Sequence, residues 1–221
     1  MKYSLILPCR NEAPHIGRFI EDAHRTFKKM HCTYEIIVVD NNSTDDSAQI
    51  ARQKQAQVIV EQTQGYGAAY RKGFKHAKGE YIIMCDPDGS YDITELPLLI
   101  KSKGDFVLGN RFNNKMQKKA MPWMRQHIGN PLLNTLLNIR HHIAIKDSHS
   151  GFRVINRKKL QLLQLQSPGM ELATEMIIKA HRQELQITEI NIKYHPRIGE
   201  SKLRNIRDGW RHTWMIMKGT S

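Results

Sequence analysis

The chain has 221 residues, enough for one domain with a sizeable core, and carries a formal charge of +13 with 25% charged residues. No run of about 18 apolar residues occurs and the chain starts on a short strand rather than a secretory apolar stretch, so neither a bilayer-spanning segment nor a leader is expected. The charge is unevenly placed: residues 1–100 hold 12 Lys+Arg against 13 Asp+Glu, and residues 101–221 hold 22 against 8, so the second half calls for an anionic partner.

In chain order, residues 3–8 form a short apolar strand, followed by helical spacing of Ile16, Phe19, Ile20, Ala23 and Phe27. Residues 35–40 are rich in β-branched side chains and predict a strand buried on both faces. Asn42, Ser43, Thr44 and Asp45 supply capping side chains for a helix over 46–55. A strand over 57–61, a helix with a glycine-rich start over 65–76, a strand over 81–85, a helix over 93–101 and a strand over 105–109 follow. Strands and helices alternating at this rhythm predict an α/β domain with a mainly parallel sheet. The second half reads as a basic amphipathic helical stretch over 121–142, interrupted near Gly129-Asn-Pro131. A polar turn over 147–153 leads into a strand, then a helix over 171–182 and a strand over 185–194. The tail over 206–218 mixes Arg207, Arg211 and Lys218 with Trp210, Trp214 and Met215. Cys9, Cys32 and Cys85 have no C-x-x-C spacing and read as small apolar residues of a reducing compartment.

In parallel sheets ligands bind beyond the carboxyl ends of the strands. Three polar clusters fall there: Arg10-Asn11-Glu12, Asp40-Asn41-Asn42 and Asp86-Pro87-Asp88. An Asp-x-Asp turn alone is most often a solvated turn. At a strand end, beside two other polar clusters, its carboxylates can converge on one hard cation that shares oxygens with a phosphorylated ligand.

Eight segments, in order, then carry a family resemblance. They are Leu7-Pro-Cys-Arg-Asn-Glu12, Val38-Val-Asp-Asn-Asn-Ser-Thr-Asp45, Gly65-Tyr-Gly-Ala-Ala69 and Asp86-Pro-Asp-Gly-Ser90. The others are Gly109-Asn-Arg111, Asp147-Ser-His-Ser-Gly-Phe152, Gly169-Met-Glu171 with Glu175, and Arg197-Ile-Gly-Glu-Ser-Lys202. Together they resemble the inverting family 2 glycosyltransferases, in the branch with polyprenyl-phosphate acceptors typified by dolichyl-phosphate mannosyltransferase. The resemblance implies a GT-A fold with a nucleotide-sugar half over 1–112, an acceptor half over 113–204 and an amphipathic tail over 205–221. It implies Pro8, Arg10, Glu12, Asp40 and Asp86 for the nucleotide, and Asp86 with Asp88 for Mg2+ or Mn2+. Asp88 and Arg111 would act in the reaction, and Arg111, Arg125, Arg197 and Lys202 would hold phosphate. Asp147, Glu171 and Glu175 would shape the sugar end. Arg10 stands where the family often has an aromatic residue, which leaves the base open.

The implied donor is a UDP- or GDP-sugar and the implied acceptor a polyprenyl phosphate. The phosphate oxygen is already nucleophilic, so no general base is required. Trp210 and Trp214, one helical turn apart among cations, fit an interfacial helix on the cytoplasmic face of a membrane, or equally a helix packed on the domain. A hydroxyl acceptor in polysaccharide synthesis is the alternative. A nucleic-acid-binding role has only the charge in its favour, with no RNA-recognition motif, zinc-finger spacing or heptad-bearing basic helix.

Overall fold

The computed structural model describes residues 1–113, 115–197 and 205–219, with backbone only for 205–208; Lys202 lies outside the described residues. The first half reads β1 (Tyr3–Cys9), α1 (Ala13–Lys29), β2 (Tyr34–Asp40), α2 (Ser47–Gln53), β3 (Gln57–Val60), α3 (Tyr66–His76), β4 (Tyr81–Met84), α4 (Leu96–Lys101) and β5 (Phe106–Asn110). The second half adds a π-helical turn (Arg125–Gly129) running into α5 (Asn130–His141). Next come β6 (Arg153–Asn156), α6 (Arg157–Leu162), α7 (Leu172–Arg182), β7 (Ile187–Asn191) and α8 (Asn205–Lys218). The break expected near Gly129 is this π turn, and Pro131 directly follows it at the head of α5, inside a continuous helical stretch where its missing N–H costs a backbone hydrogen bond. The short helix α6 was not legible in the apolar spacing.

Among the described residues seven strands form one sheet in the order β3-β2-β1-β4-β6-β5-β7. The pairs β1/β2, β2/β3, β1/β4 and β5/β7 are parallel, while β6 runs antiparallel to both β4 and β5. The chain leaves β5 at the carboxyl edge and re-enters the sheet there, without crossing back, so β6 must point the other way. Register fixes the consequence: Arg153 at the start of β6 lies opposite Met84 of β4 and Leu108 of β5. The turn before β6 is thereby set beside the turn after β4.

Side chains alternate across the sheet and both faces are covered. Leu5, Leu7, Ile36, Val38, Ile83 and Cys85 pack towards α1, together with Ile16, Phe19, Ile20 and Phe27 of that helix. Ile6, Ile37, Val39, Ile82 and Met84 pack on the opposite face with Tyr70, Leu172, Met176 and Ile177. Gly73 lets α3 lie close on β1, since a Cβ there would come 2.4 Å from Ile6 Cγ2. Cys9 and Cys85 are buried, as their strand-end positions predict.

The tail helix α8 packs on the domain. Ile216 is fully buried, the Ile216 carbonyl lies 2.9 Å from His141 Nε2, and His212 Nδ1 lies 2.7 Å from Thr174 Oγ1. Its other face leaves Trp210 and Trp214 exposed. No described helix is long and apolar enough to cross a membrane.

Candidate active site

Three strand ends converge as the sequence predicts. Pro8 and Cys9 on β1 pair with Val39 and Asp40 on β2, and β4 lies on the other side of β1. The loop after β1 is pinned to the loop after β2: the Glu12 N–H donates to Ser47 Oγ at 2.8 Å and the Ala13 N–H to Asp45 at 3.1 Å. Asp40 is buried and caps its own turn, accepting from the Ser43 N–H at 3.1 Å. Arg10 is exposed.

The turn after β4 holds two different carboxylates. Asp88 is buried; its Oδ1 accepts from the Ser90 N–H at 3.0 Å and from the Ser90 hydroxyl, so Ser90 orients Asp88. Asp86 accepts from the Tyr70 hydroxyl at 3.2 Å. Burial, and then the negative charge of Asp88, push the Asp86 carboxyl up to about 7. Gly151, in the turn before β6, faces it closely, since a Cβ there would lie 2.3 Å from Asp86 Oδ2. Gly151 is itself fixed by its N–H donating to the Tyr91 hydroxyl at 2.7 Å. Tyr70 and Tyr91 are neighbours of this turn that sequence reasoning did not single out, whereas Gly151 belongs to the Ser150-Gly151-Phe152 segment that the resemblance set at the sugar end.

Two carboxylates repelling each other in a buried setting suit a divalent cation. Among the described residues no third His, Cys, Asp or Glu joins them into a metal-holding cluster. Asp86 and Asp88 could therefore hold a cation that draws its remaining oxygens from a ligand diphosphate and water, the usual Mg2+ arrangement.

The cations expected around the site are arranged as follows. Arg197 spans two acids: Nη2 is 3.0 Å from Glu12 Oε1 and Nη1 is 3.1 Å from Asp88 Oδ2. Arg111 is buried and gripped by Asp147, with Nε and Nη2 each 2.8 Å from a carboxylate oxygen. Burial opposes its charge, but Asp147 and the Tyr91 oxygen outweigh that and raise its pKa above the ordinary arginine value. Arg111 and Asp147, expected at separate ends of the site, are thus one unit. Arg125 is half-buried in the π turn ahead of α5.

Glu171 and Glu175 lie on the far side of the Gln166–Gly169 loop. Glu171 accepts from Arg211 Nη2 at 2.6 Å and from the Gly169 N–H at 3.1 Å. Glu175 accepts from the N–H groups of Gln166 and Ser167 at 2.9 and 2.8 Å and pairs with Lys179 at 2.7 Å. A cavity of about 580 Å³ opens there, between this loop, α7 and α8, with Trp210, Trp214, Arg211 and Lys218 in its walls. It is separate from the aspartate turn.

Residues 4–163 match the family model for glycosyl transferase family 2. The chain belongs to this family. It is 38% identical over 218 residues to the low-salt glycan biosynthesis hexosyltransferase Agl6 of Haloferax volcanii, which covers 97% of this chain and 52% of that protein. The chain thus spans about half of Agl6's length. It is 26% identical over 213 residues to the dolichyl-phosphate beta-glucosyltransferase ALG5D of Trichomonas vaginalis, covering 87% of this chain and 65% of that one. Among solved structures, glucosyl-3-phosphoglycerate synthase of Mycobacterium tuberculosis, in complex with Mn2+, UDP and glucosyl-3-phosphoglycerate, superposes with a TM-score of 0.72. It is 19% identical and covers 98% of this chain and 77% of that one. The family 2 resemblance and the GT-A fold expected from the motifs are both borne out.

Proposed function

We propose that this chain is an inverting glycosyltransferase that moves a sugar from a UDP- or GDP-sugar to the phosphate of a polyprenyl lipid at the cytoplasmic face of a membrane. The observation that carries the acceptor is an apolar face set in a cationic stretch. Between Asp105 and Asp147 the sequence has no Asp or Glu and seven Lys+Arg. Within it Trp123, Met124, Ile128, Leu132 and Ile139 are exposed along the π turn and α5. The helix α8, packed on α5, exposes Trp210, Trp214 and Met217. Exposed Trp and aliphatic side chains among cations match the headgroup region of an anionic bilayer. Residues 205–221 then act as a membrane-facing extension of the transferase domain over 1–204. The ALG5D relative, named for dolichyl phosphate, supports the same acceptor class.

On this reading Pro8, Glu12 and Asp40 border the nucleoside, and Asp86 and Asp88 hold Mg2+ or Mn2+ against the donor diphosphate. The cation offsets the charge that gathers on the leaving diphosphate. Arg111, locked by Asp147, holds the acceptor phosphate and keeps it in line with the anomeric carbon. The phosphate oxygen attacks, the sugar–diphosphate bond breaks, and configuration inverts with no proton to remove. The test is a donor panel of UDP-glucose, GDP-mannose and UDP-N-acetylhexosamine with a short polyprenyl phosphate, scoring nucleoside diphosphate release. Release that requires the lipid phosphate is expected. Equal release with the free polyprenol would sink the phosphate-acceptor reading.

The raised Asp86 carboxyl gives a pH prediction. Below about 7 Asp86 holds a proton that a cation must displace. Apparent Mn2+ affinity, measured by calorimetry with UDP present, is expected to fall up to about tenfold per pH unit between about pH 7 and 5. A flat profile across that range would remove Asp86 from the cation site.

A further inference from the structure

Arg197 makes a bridge that the motif did not foretell. The chain after β7 runs across the aspartate turn: Tyr194 bridges to Tyr91, and the His195 N–H donates to the Ser90 carbonyl at 3.0 Å. This lays the Arg197 side chain over two strand ends at once. One terminal nitrogen meets Glu12 after β1 and the other meets Asp88 after β4, at 3.0 and 3.1 Å. The side chain is 25% exposed, so water screens these pairs only in part. The third donor, Nε, is buried and has no hydrogen-bond partner. A buried N–H without an acceptor is unfavourable, and it leaves this guanidinium incompletely satisfied where it sits.

The bridge conflicts with a divalent cation. Asp88 Oδ1 is occupied by Ser90, so Oδ2 is its outward oxygen, and that is the oxygen Arg197 takes. A guanidinium and a divalent cation on one carboxylate oxygen would repel each other at close range. The guanidinium also has a natural destination, since planar N–H forks bind phosphate oxygens in pairs and Nε could then be used.

We propose that Arg197 is an internal counter-cation. In donor-free enzyme it neutralises Glu12 and Asp88, and it hands Asp88 to the divalent cation as it turns to the incoming diphosphate. Metal alone is therefore held off the site, and metal with nucleotide is admitted. This inference rests on the assignment of the cation to Asp86 and Asp88. It makes Arg197 a positioning residue that couples the two ligands, with opposite effects on metal alone and on metal with nucleotide.

The experiment is a Mn2+ titration of the full chain, read by loss of the free-Mn2+ electron paramagnetic resonance signal, with and without UDP or GDP. Arg197→Met and Arg197→Lys are compared with wild type and with Asp88→Asn. Without nucleotide, Arg197→Met is expected to bind Mn2+ about tenfold or more tightly than wild type, the effect of removing a competing charge at such distances. With nucleotide, the same variant is expected to bind the Mn2+–nucleotide complex about tenfold more weakly, having lost its diphosphate ligand. Arg197→Lys, whose single ammonium cannot bridge both acids as a fork does, is expected to bind Mn2+ alone more tightly than wild type. That variant carries the test if Arg197→Met fails to fold. Unchanged or weaker Mn2+ binding by the Arg197 variants without nucleotide, while Asp88→Asn lowers binding of the Mn2+–nucleotide complex, would overturn the counter-cation alone. Binding of the Mn2+–nucleotide complex indifferent to Asp88→Asn would overturn the metal assignment and the inference with it.

Discussion

Asp88→Asn is expected to lower turnover by about a thousandfold or more, roughly 4 kcal/mol of lost transition-state stabilisation, while the protein stays folded. The amide preserves the shape of the turn, because its oxygen can still accept from the Ser90 N–H and hydroxyl as Asp88 Oδ1 does. What it removes is charge. A divalent cation left with Asp86 alone would lose one of its two protein carboxylates, and the leaving diphosphate would lose the compensation that lets it depart. Arg197 would keep its pairing with Glu12, so its anchorage survives. The measurements are steady-state release of nucleoside diphosphate and thermal unfolding of the same preparation. Turnover within tenfold of wild type would mean that Asp88 does not hold the cation during the reaction.

Asp147→Ala is expected to have the largest effect on stability. The buried Arg111 guanidinium would be left without its counter-ion, and the Arg111 N–H, now 2.9 Å from Asp147 Oδ2, would lose its acceptor as well. Removing one member of a buried pair costs about 3–5 kcal/mol, and at roughly 2–4 °C per kcal/mol for a domain of this size the melting temperature should fall by about 6–20 °C. Replacing both members, Arg111→Leu with Asp147→Leu, should recover much of that loss, because no uncompensated charge stays behind. Turnover with the lipid phosphate should not recover in the double variant. Melting temperatures of the two single variants and the double variant form the test. A loss below about 1 kcal/mol for Asp147→Ala would show that the pair is not an interior one.

These two cases show what the sequence conveyed. The order of strands and helices was readable because parallel strands buried on both faces leave runs such as Ile36–Val39, and the acids that follow them had to gather at one edge of the sheet. The direction of β6 was not readable, since an apolar run carries no sign of orientation; only the path of the preceding chain decides it. Ion-pair partners were equally hidden. Arg111 and Asp147 lie 36 positions apart, and Arg197 and Glu12 lie 185 apart. A surplus of cations says that anions are wanted, but not which carboxylates of the chain take them first. The pairing of Glu175 with Lys179, one helical turn apart, is the only one of these that local spacing could have given.

The reversal at β6 has an evolutionary reading. The chain quits the sheet after Asn110 and returns at Arg153, and Leu108 and Arg153 are partners in adjacent strands. Everything between them is a cassette whose two ends are neighbours, mounted on a scaffold that already holds β1 to β4 together. Such a segment can be exchanged for another of different length while the β1–β4 scaffold keeps its framework. A lineage could retain one donor chemistry and change acceptors by trading this piece, and a laboratory chimera joined at these two points should do the same.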